Sequence, residues 1–223
     1  MQKLSIYDMD RTITKSGTYT PFLLHMVFAR SPWRLALLPL VAFGFIAYGM
    51  KLIGRKGLKT YNQRLLLGGK PSLAALQPHI ETFADKMIES NSYKRAIVQI
   101  AHDRAEGRRL VLATASYDLY VKSIAKRLGF DDVIGTVLEI DSDGNVLPKI
   151  IGENCYDEAK LGRIKTFLDG ENLKREELHI RSYSDHISDV PMLEFADEAV
   201  ATTPSAALRK TAKARGWTIV DWD

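Results

Sequence analysis

Asp8 and Asp10 are the residues whose types and spacing first suggest chemistry. They follow the short β-prone run Leu4-Ser5-Ile6-Tyr7, in the stretch Asp8-Met9-Asp10-Arg11-Thr12. Side chains two positions apart point the same way while a chain stays extended, so both carboxylates can address one reacting group, with Thr12 on the same parity. One carboxylate can attack phosphorus to form an acyl phosphate, while the other acts as acid towards the leaving alkoxide and then as base towards water. A carboxylate and a phosphate repel each other, so the reaction requires cations. Mg2+ takes oxygen ligands and keeps several waters, and further carboxylates at another strand end would complete its site. Asp185 and Asp189, in Tyr183-Ser184-Asp185-His186-Ile187-Ser188-Asp189, supply them. Lys160 can neutralise nucleophile and phosphate together, and Thr114 can donate a hydroxyl hydrogen bond to a phosphate oxygen beside a helix N-terminus.

Each of these residues also has an ordinary explanation. An Asp-x-Asp pair after a strand is commonly a solvated turn, and Thr114 and Asp189 can cap helices. Lys160 alone reads as an exposed helix residue and His186 as a surface residue. Ser116, Tyr117 and Asp118 fit pocket lining and packing equally well. The ordered set, rather than any member, carries the functional reading.

The elements that must position the set are legible as alternation. Leu4 to Tyr7, Arg109 to Ala113, Leu178 to Tyr183, Glu198 to Ala201 and Trp217 to Val220 read as strands. Helix-like stretches separate them at Tyr93 to Glu106, Leu119 to Leu128, Asp157 to Leu168 and Ser205 to Arg215, with Gly107, Gly129, Gly170 and Gly216 near their ends. The pattern predicts an α/β fold: a Rossmann-like parallel sheet with helices on both faces and ligands at the carboxyl ends of its strands. Asp141-Ser142-Asp143-Gly144-Asn145 reads as a hairpin turn beside the sheet. Residues 15–92 lack evident strands and form an inserted all-helical cap, which leaves 1–14 and 93–223 as the catalytic core.

Composition sets outer bounds. The 223 residues are 46% hydrophobic and 26% charged, as in an ordinary folded protein. The single cysteine, Cys155, excludes an internal disulfide, and no Cys/His cluster has zinc-site spacing. The N-terminal apolar stretch is too short and too soon followed by acids for a signal peptide. A cytoplasmic location is expected, with peripheral contact at the inner face of the membrane as an extension of it. The net charge of +4 suits phosphates, nucleic acid or an anionic membrane. A nucleic-acid partner is not expected, because basic charge alone leaves the spacing of the acids unexplained.

These motifs together resemble the four ordered motifs of the haloacid dehalogenase superfamily. The position of the insertion is similar to the branch with a small helical cap that includes phosphoserine phosphatases. Asn154-Cys155-Tyr156-Asp157-Glu158-Ala159-Lys160 and Val200-Ala201-Thr202-Thr203-Pro204 extend the likeness. The resemblance implies a magnesium-dependent phosphomonoester hydrolase with Asp8 as nucleophile, Asp10 as general acid/base, and Thr114 and Lys160 as phosphate ligands. It implies Asp8, Asp185, Asp189 and Asp10, the last through its backbone carbonyl, around Mg2+, with Asp185 the direct ligand and Asp189 acting directly or through water. Arg11 and Ser184 stand where the family commonly has glycine, and Arg11 can serve as an extra anion contact. A phosphotransferase would use the same residues.

The substrate question falls to the cap. Leu35 to Met50 carries no charge, is too short for a spanning helix and contains Pro39, Gly44 and Gly49. Arg30 and Arg34 precede it, Lys51, Arg55, Lys56 and Lys59 follow it, and Trp33 and Tyr48 could sit at an interface. A buried cap helix or a dimer surface explains the run equally well. The cap is similar to that of a phosphatidylglycerophosphate phosphatase of the same superfamily, which directs the expectation towards a lipid phosphate, with a soluble monoester such as phosphoserine as the alternative.

Overall fold

The computed structural model describes residues 1–222. Its centre is a six-stranded, all-parallel sheet in the order β3-β2-β1-β6-β7-β8, with β1 at Gln2–Tyr7, β2 at Arg109–Tyr117 and β3 at Asp132–Thr136. The other half is β6 at Leu178–Ser184, β7 at Glu198–Thr202 and β8 at Thr218–Val220. β3 was not among the expected strands. Its sequence, Asp132-Val133-Ile134-Gly135-Thr136, is a short edge strand interrupted by a glycine, which weakens the β signal.

Alternation on β1 and β2 sorts side chains between two cores, as a sheet covered on both faces requires. Leu4, Ile6, Val111 and Ala113 pack with Ile164 and Leu168 of α7 (Glu158–Gly170). Tyr7, Leu110 and Leu112 face the opposite core, with Ala96 and Ile100 of α5 (Lys94–Ala105) and Tyr120, Val121 and Ile124 of α6 (Asp118–Leu128). Short α8 (Val190–Phe195) and α9 (Ala206–Arg215) complete the core.

Between β1 and β2 the chain forms α1 (Tyr19–Arg30), a 3-10 turn over Pro32–Leu37, α2 (Leu38–Gly49), α3 (Arg55–Leu66) and α4 (Leu73–Asn91). The base of this insertion is built into the core. Phe22 of α1 stacks on Tyr120 at 4.3 Å between ring centroids, Phe83 of α4 meets the same ring edge-on at 5.5 Å, and Arg127 bridges Glu81 and Asp85. The expected hairpin is present as β4 (Leu138–Ile140) and β5 (Val146–Ile150), with Asp141 Oδ1 accepting from the amides of Asp143 and Asn145 in the turn. It supports the insertion from below: Gln63 Nε2 donates to Leu147 O and Val146 N to Pro71 O.

The β1–β6 ladder is pinned beneath the reactive end of β1. Tyr7 and Tyr183 are paired in register and stacked at 4.1 Å, and fully buried Asp103 accepts hydrogen bonds from Ser5, Tyr7 and Tyr183 while Arg181 Nη1 lies 2.8 Å away. These donors hold its carboxyl below the usual carboxylate range although burial pushes the other way. Removing it would take the acceptor from three buried hydroxyls, while Arg181 would keep Glu198 at 2.7 Å. Asp103→Ala is expected to cost about 3 kcal/mol in urea unfolding, and a loss under about 1 kcal/mol would contradict this assignment.

Candidate active site

The sheet delivers its polar residues to one place because every strand ends at the same edge. A cleft of about 220 Å³ there is lined by Asp8, Asp10, Arg11, Thr114, Lys160, Asp185 and Asp189, together with Arg55, Tyr156, His186 and Ser188. All seven residues singled out from the sequence for catalysis, substrate or metal therefore meet in one cavity.

Lys160 is the centre of the arrangement. It stands on the first turn of α7, is 2% exposed, and places Nζ 2.8 Å from Asp8 Oδ1 and 2.8 Å from Asp189 Oδ2. Burial by itself would lower its pKa, but Asp189 and Asp8 outweigh that and hold the ammonium protonated. It is therefore neither an exposed helix lysine nor able to neutralise four acids alone. Burial pushes the Asp8 carboxyl up to about 8 despite Lys160, with Asp189 and Asp185 adding to the rise. Burial and the charge of Asp189 push Asp185 up to about 6.

The two aspartates of β1 reach the cleft by a different route from an extended chain. β1 stops at Tyr7, Arg11 takes a left-handed φ of 67°, and Met9 O accepts from the amides of both Ile13 and Thr14. This tight turn corrects the parity argument. Asp10 swings towards the insertion, where Thr18 N and Oγ1 donate to its Oδ1 and Ser116 Oγ donates to its Oδ2, each at 2.8 Å. Thr12 leaves the cleft and binds Asp185 from behind, through its Oγ1 with Asp185 N at 3.0 Å and Oδ1 at 3.3 Å.

The turn bears on one of the two departures from glycine. At Arg11 the backbone adopts a conformation that costs L-residues roughly 1–2 kcal/mol, so glycine is the unstrained choice there. Ser184 has no such conformation. Its buried hydroxyl donates to Asp189 Oδ2 at 2.6 Å, fixing a carboxylate that Lys160 also holds. Asp189 precedes α8 but makes no side-chain cap, so the capping reading fails. Thr114 is not a cap either. It is fully buried within β2, four residues before α6, where its Oγ1 accepts from Ser116 N at 3.1 Å.

Of three further residues near the cleft, two depart from their sequence reading, while Ser116 takes the pocket-side one of its two. His186 lines the cavity and binds Ser188 through Nδ1, instead of standing on the open surface. Ser116 touches Asp10 directly. Lys59 is not a free flank of the apolar run: it reaches from α3 into the core, where Nζ donates to Ala115 O at 2.6 Å and Asn154 Oδ1 at 2.8 Å. Burial pushes its pKa down to about 8. No sequence pattern distinguishes Lys59 from its basic neighbours.

The donor set fits a hard divalent cation. Asp8, Asp10, Asp185 and Asp189 offer oxygen ligands only, and their charge exceeds what Lys160, 2.8 Å from both Asp8 and Asp189, supplies. The other acidic cluster, His102, Asp103 and Glu106, does not compete, because Arg108 and Arg181 already neutralise it.

A parallel sheet with a helical insertion after β1, and with carboxylates gathered about a lysine at its carboxyl edge, defines a capped Rossmann-like α/β protein. The model of the haloacid dehalogenase-like hydrolases matches residues 6–194, and the chain belongs to that family. The phosphoserine phosphatase SerB1 of Mycobacterium tuberculosis is 36% identical over 144 residues, which are 64% of this chain and 44% of that protein. The chain thus spans less than half the length of this relative. A histidinol-phosphatase of Neisseria meningitidis is 30% identical over 146 residues, 65% of either chain. Among solved structures, a protein of unknown function from Bordetella pertussis superposes with a TM-score of 0.88 at 25% identity, over 99% of each chain.

The raised carboxyl of Asp8 makes the site's pH dependence testable. An acid whose pKa is higher folded than unfolded binds more protons in the native state, so its contribution to stability is present below about pH 4 and lost as pH rises towards 8. Chelated protein is expected to melt at progressively lower temperature between pH 5 and pH 8. Asp8→Asn should flatten that slope in thermal melts; an unchanged slope would place the effect elsewhere.

Proposed function

We propose that this protein is a magnesium-dependent phosphomonoester hydrolase that works through an aspartyl phosphate on Asp8. The observation that carries the reading is the Asp8–Lys160–Asp189 contact inside a cleft that Asp10 enters from the other side. Lys160 holds Asp8 Oδ1, orienting the nucleophile and opposing the repulsion between carboxylate and phosphate. Asp8 attacks phosphorus and the ester P–O bond breaks. Asp10, oriented by Thr18 and Ser116, delivers its proton to the departing alkoxide. It then takes a proton from the water that attacks phosphorus, which releases inorganic phosphate and restores Asp8. Thr114 Oγ1 already accepts from Ser116 N and so has its own proton to give to a phosphate oxygen. Arg11 adds positive charge at the cleft mouth.

Mg2+ would be held by Asp8, the Asp10 backbone carbonyl and Asp185, with Asp189 beside or behind it, and would supply charge neutralisation for the phosphoryl group. Movement of the cap over the cleft would exclude bulk water. Asp8→Asn is expected to lower phosphate release by at least about 1,000-fold with every substrate tried, measured with Mg2+ in excess. A retained rate would remove Asp8 as nucleophile.

The names of the relatives, a phosphoserine phosphatase and a histidinol-phosphatase, support a small soluble monoester as substrate. One feature favours a second reading, a lipid phosphate: Arg55 lines both the catalytic cleft and a neighbouring, mainly apolar cavity of about 230 Å³ that includes Tyr19, Phe45, Tyr48 and Leu58. Phosphate release from soluble monoesters, set beside lipid phosphates in micelles, separates the two. Turnover confined to the soluble esters would retire the lipid reading, and competing alcohols in the same assay would reveal phosphotransfer.

A further inference from the structure

The insertion carries a helix that the fold leaves uncovered. Of the twelve residues of α2 only Val41 and Gly44 are buried. That stripe seats the helix on α3, where a Cβ at Gly44 would lie 2.8 Å from the ring of Tyr61, so glycine permits the close approach. The remaining surface is apolar and exposed: Phe43 at 65%, Ile46 at 59% and Phe45 at 48%, continued by Trp33 at 63% and by Met50 and Leu52. A helix apolar on nearly all sides is normally surrounded, so the buried-bundle explanation of this run does not hold.

Charge indicates what surrounds it. The seventy residues from Arg11 to Ile80 contain ten Lys and Arg and no Asp or Glu, whereas the rest of the chain carries 21 basic and 27 acidic residues. Arg34, Lys56 and Lys59 are engaged by backbone carbonyls, but Lys51, just after α2, and Arg64, on α3, stand exposed, and Arg30 at the end of α1 is half-buried. A hydrophobic patch within a basic, acid-free region matches an anionic bilayer surface, where apolar side chains enter the acyl boundary and cations meet headgroups.

The geometry also defines how the segment would sit. Pro32–Gly49 is long and apolar enough, by length and composition, to cross a membrane. Both of its ends, however, are tied to the same body. Arg34 Nη1 donates to Leu65 O at 2.6 Å on one side, and Lys56 Nζ donates to Gly152 O at 2.6 Å just after the other. α2 alone is about 18 Å long, against roughly 30 Å of hydrocarbon. We infer that α2 lies in the surface of an anionic membrane as a peripheral anchor and holds the cap, with its Phe45–Tyr48 cavity, against the lipid.

This inference does not depend on the phosphatase reading, because binding is measured without turnover. Full-length protein is mixed with vesicles of phosphatidylcholine alone or with about a third phosphatidylglycerol, and the bound fraction is read by flotation at low and high salt. Binding to the anionic vesicles, several-fold weaker to neutral ones and weakened by salt, is expected. Phe43→Ser with Ile46→Ser should reduce it at least about tenfold, and Lys51→Glu with Arg64→Glu should reduce it severalfold, with melting temperatures unchanged. Wild-type protein that stays unbound at low salt overturns the inference. So does a concentration-dependent dimer in analytical ultracentrifugation that the Phe43/Ile46 variant abolishes, since a second copy would then cover the face.

Discussion

The Lys160 ammonium, enclosed between Asp8 and Asp189, is the interaction on which the arrangement of the site rests. Parallel pairing of β1 with β6 sets Asp8 and Asp185 at neighbouring strand ends, and the loop after β6 folds Asp189 back beside them. Without a cation among them, these carboxylates would repel one another in a poorly hydrated place. The first turn of α7 supplies one positive charge at hydrogen-bond distance from two of them. A buried ion pair of this kind adds little net stability, since desolvation opposes the attraction, but it admits few geometries. Ser184 and Thr12 restrict those further by holding Asp189 and Asp185 from behind. One lysine leaves the cluster short of positive charge, a deficit that a divalent cation would meet.

The insertion serves two regions that differ physically. Its base, α1 and α4, belongs to the main core through Phe22, Phe83 and Tyr120. Its outer part, α2 and α3, joins that core through Val41 and Leu66 and adds polar contacts: Lys59 on Ala115 and Asn154, Lys56 on Gly152, and Arg55 stacked on Tyr156 at 3.8 Å. Polar contacts of that type part at lower cost than packed rings. Lys59 ends at the Ala115 carbonyl next to Thr114, so the outer helices are tied directly to the wall of the cleft.

Much of this is legible in the sequence. Strand–helix alternation follows from residue periodicity, and carboxylates placed just after β-prone runs must gather at the sheet's carboxyl edge once the strands are parallel. Order along the chain thus sufficed for Asp8, Asp10, Thr114, Lys160, Asp185 and Asp189 to be read as one set. Local chemistry was read less well. The turn at Met9 and Arg11 breaks the extended geometry assumed for Asp8 and Asp10, and β3 is too short and glycine-broken to register as a strand.

The chain's own pattern therefore established the parallel fold, the helical insertion and the acids it brings together, because periodicity and order are properties of a linear sequence. Packing assigned the partners. It alone made Lys160 a buried ion-pair centre, aimed Ser116 at Asp10, drew Lys59 inward from a row of similar cations and left most of α2 uncovered. Those outcomes depend on which surfaces remain after distant segments meet, and residues separated by about a hundred positions carry no mark of that in their local sequence.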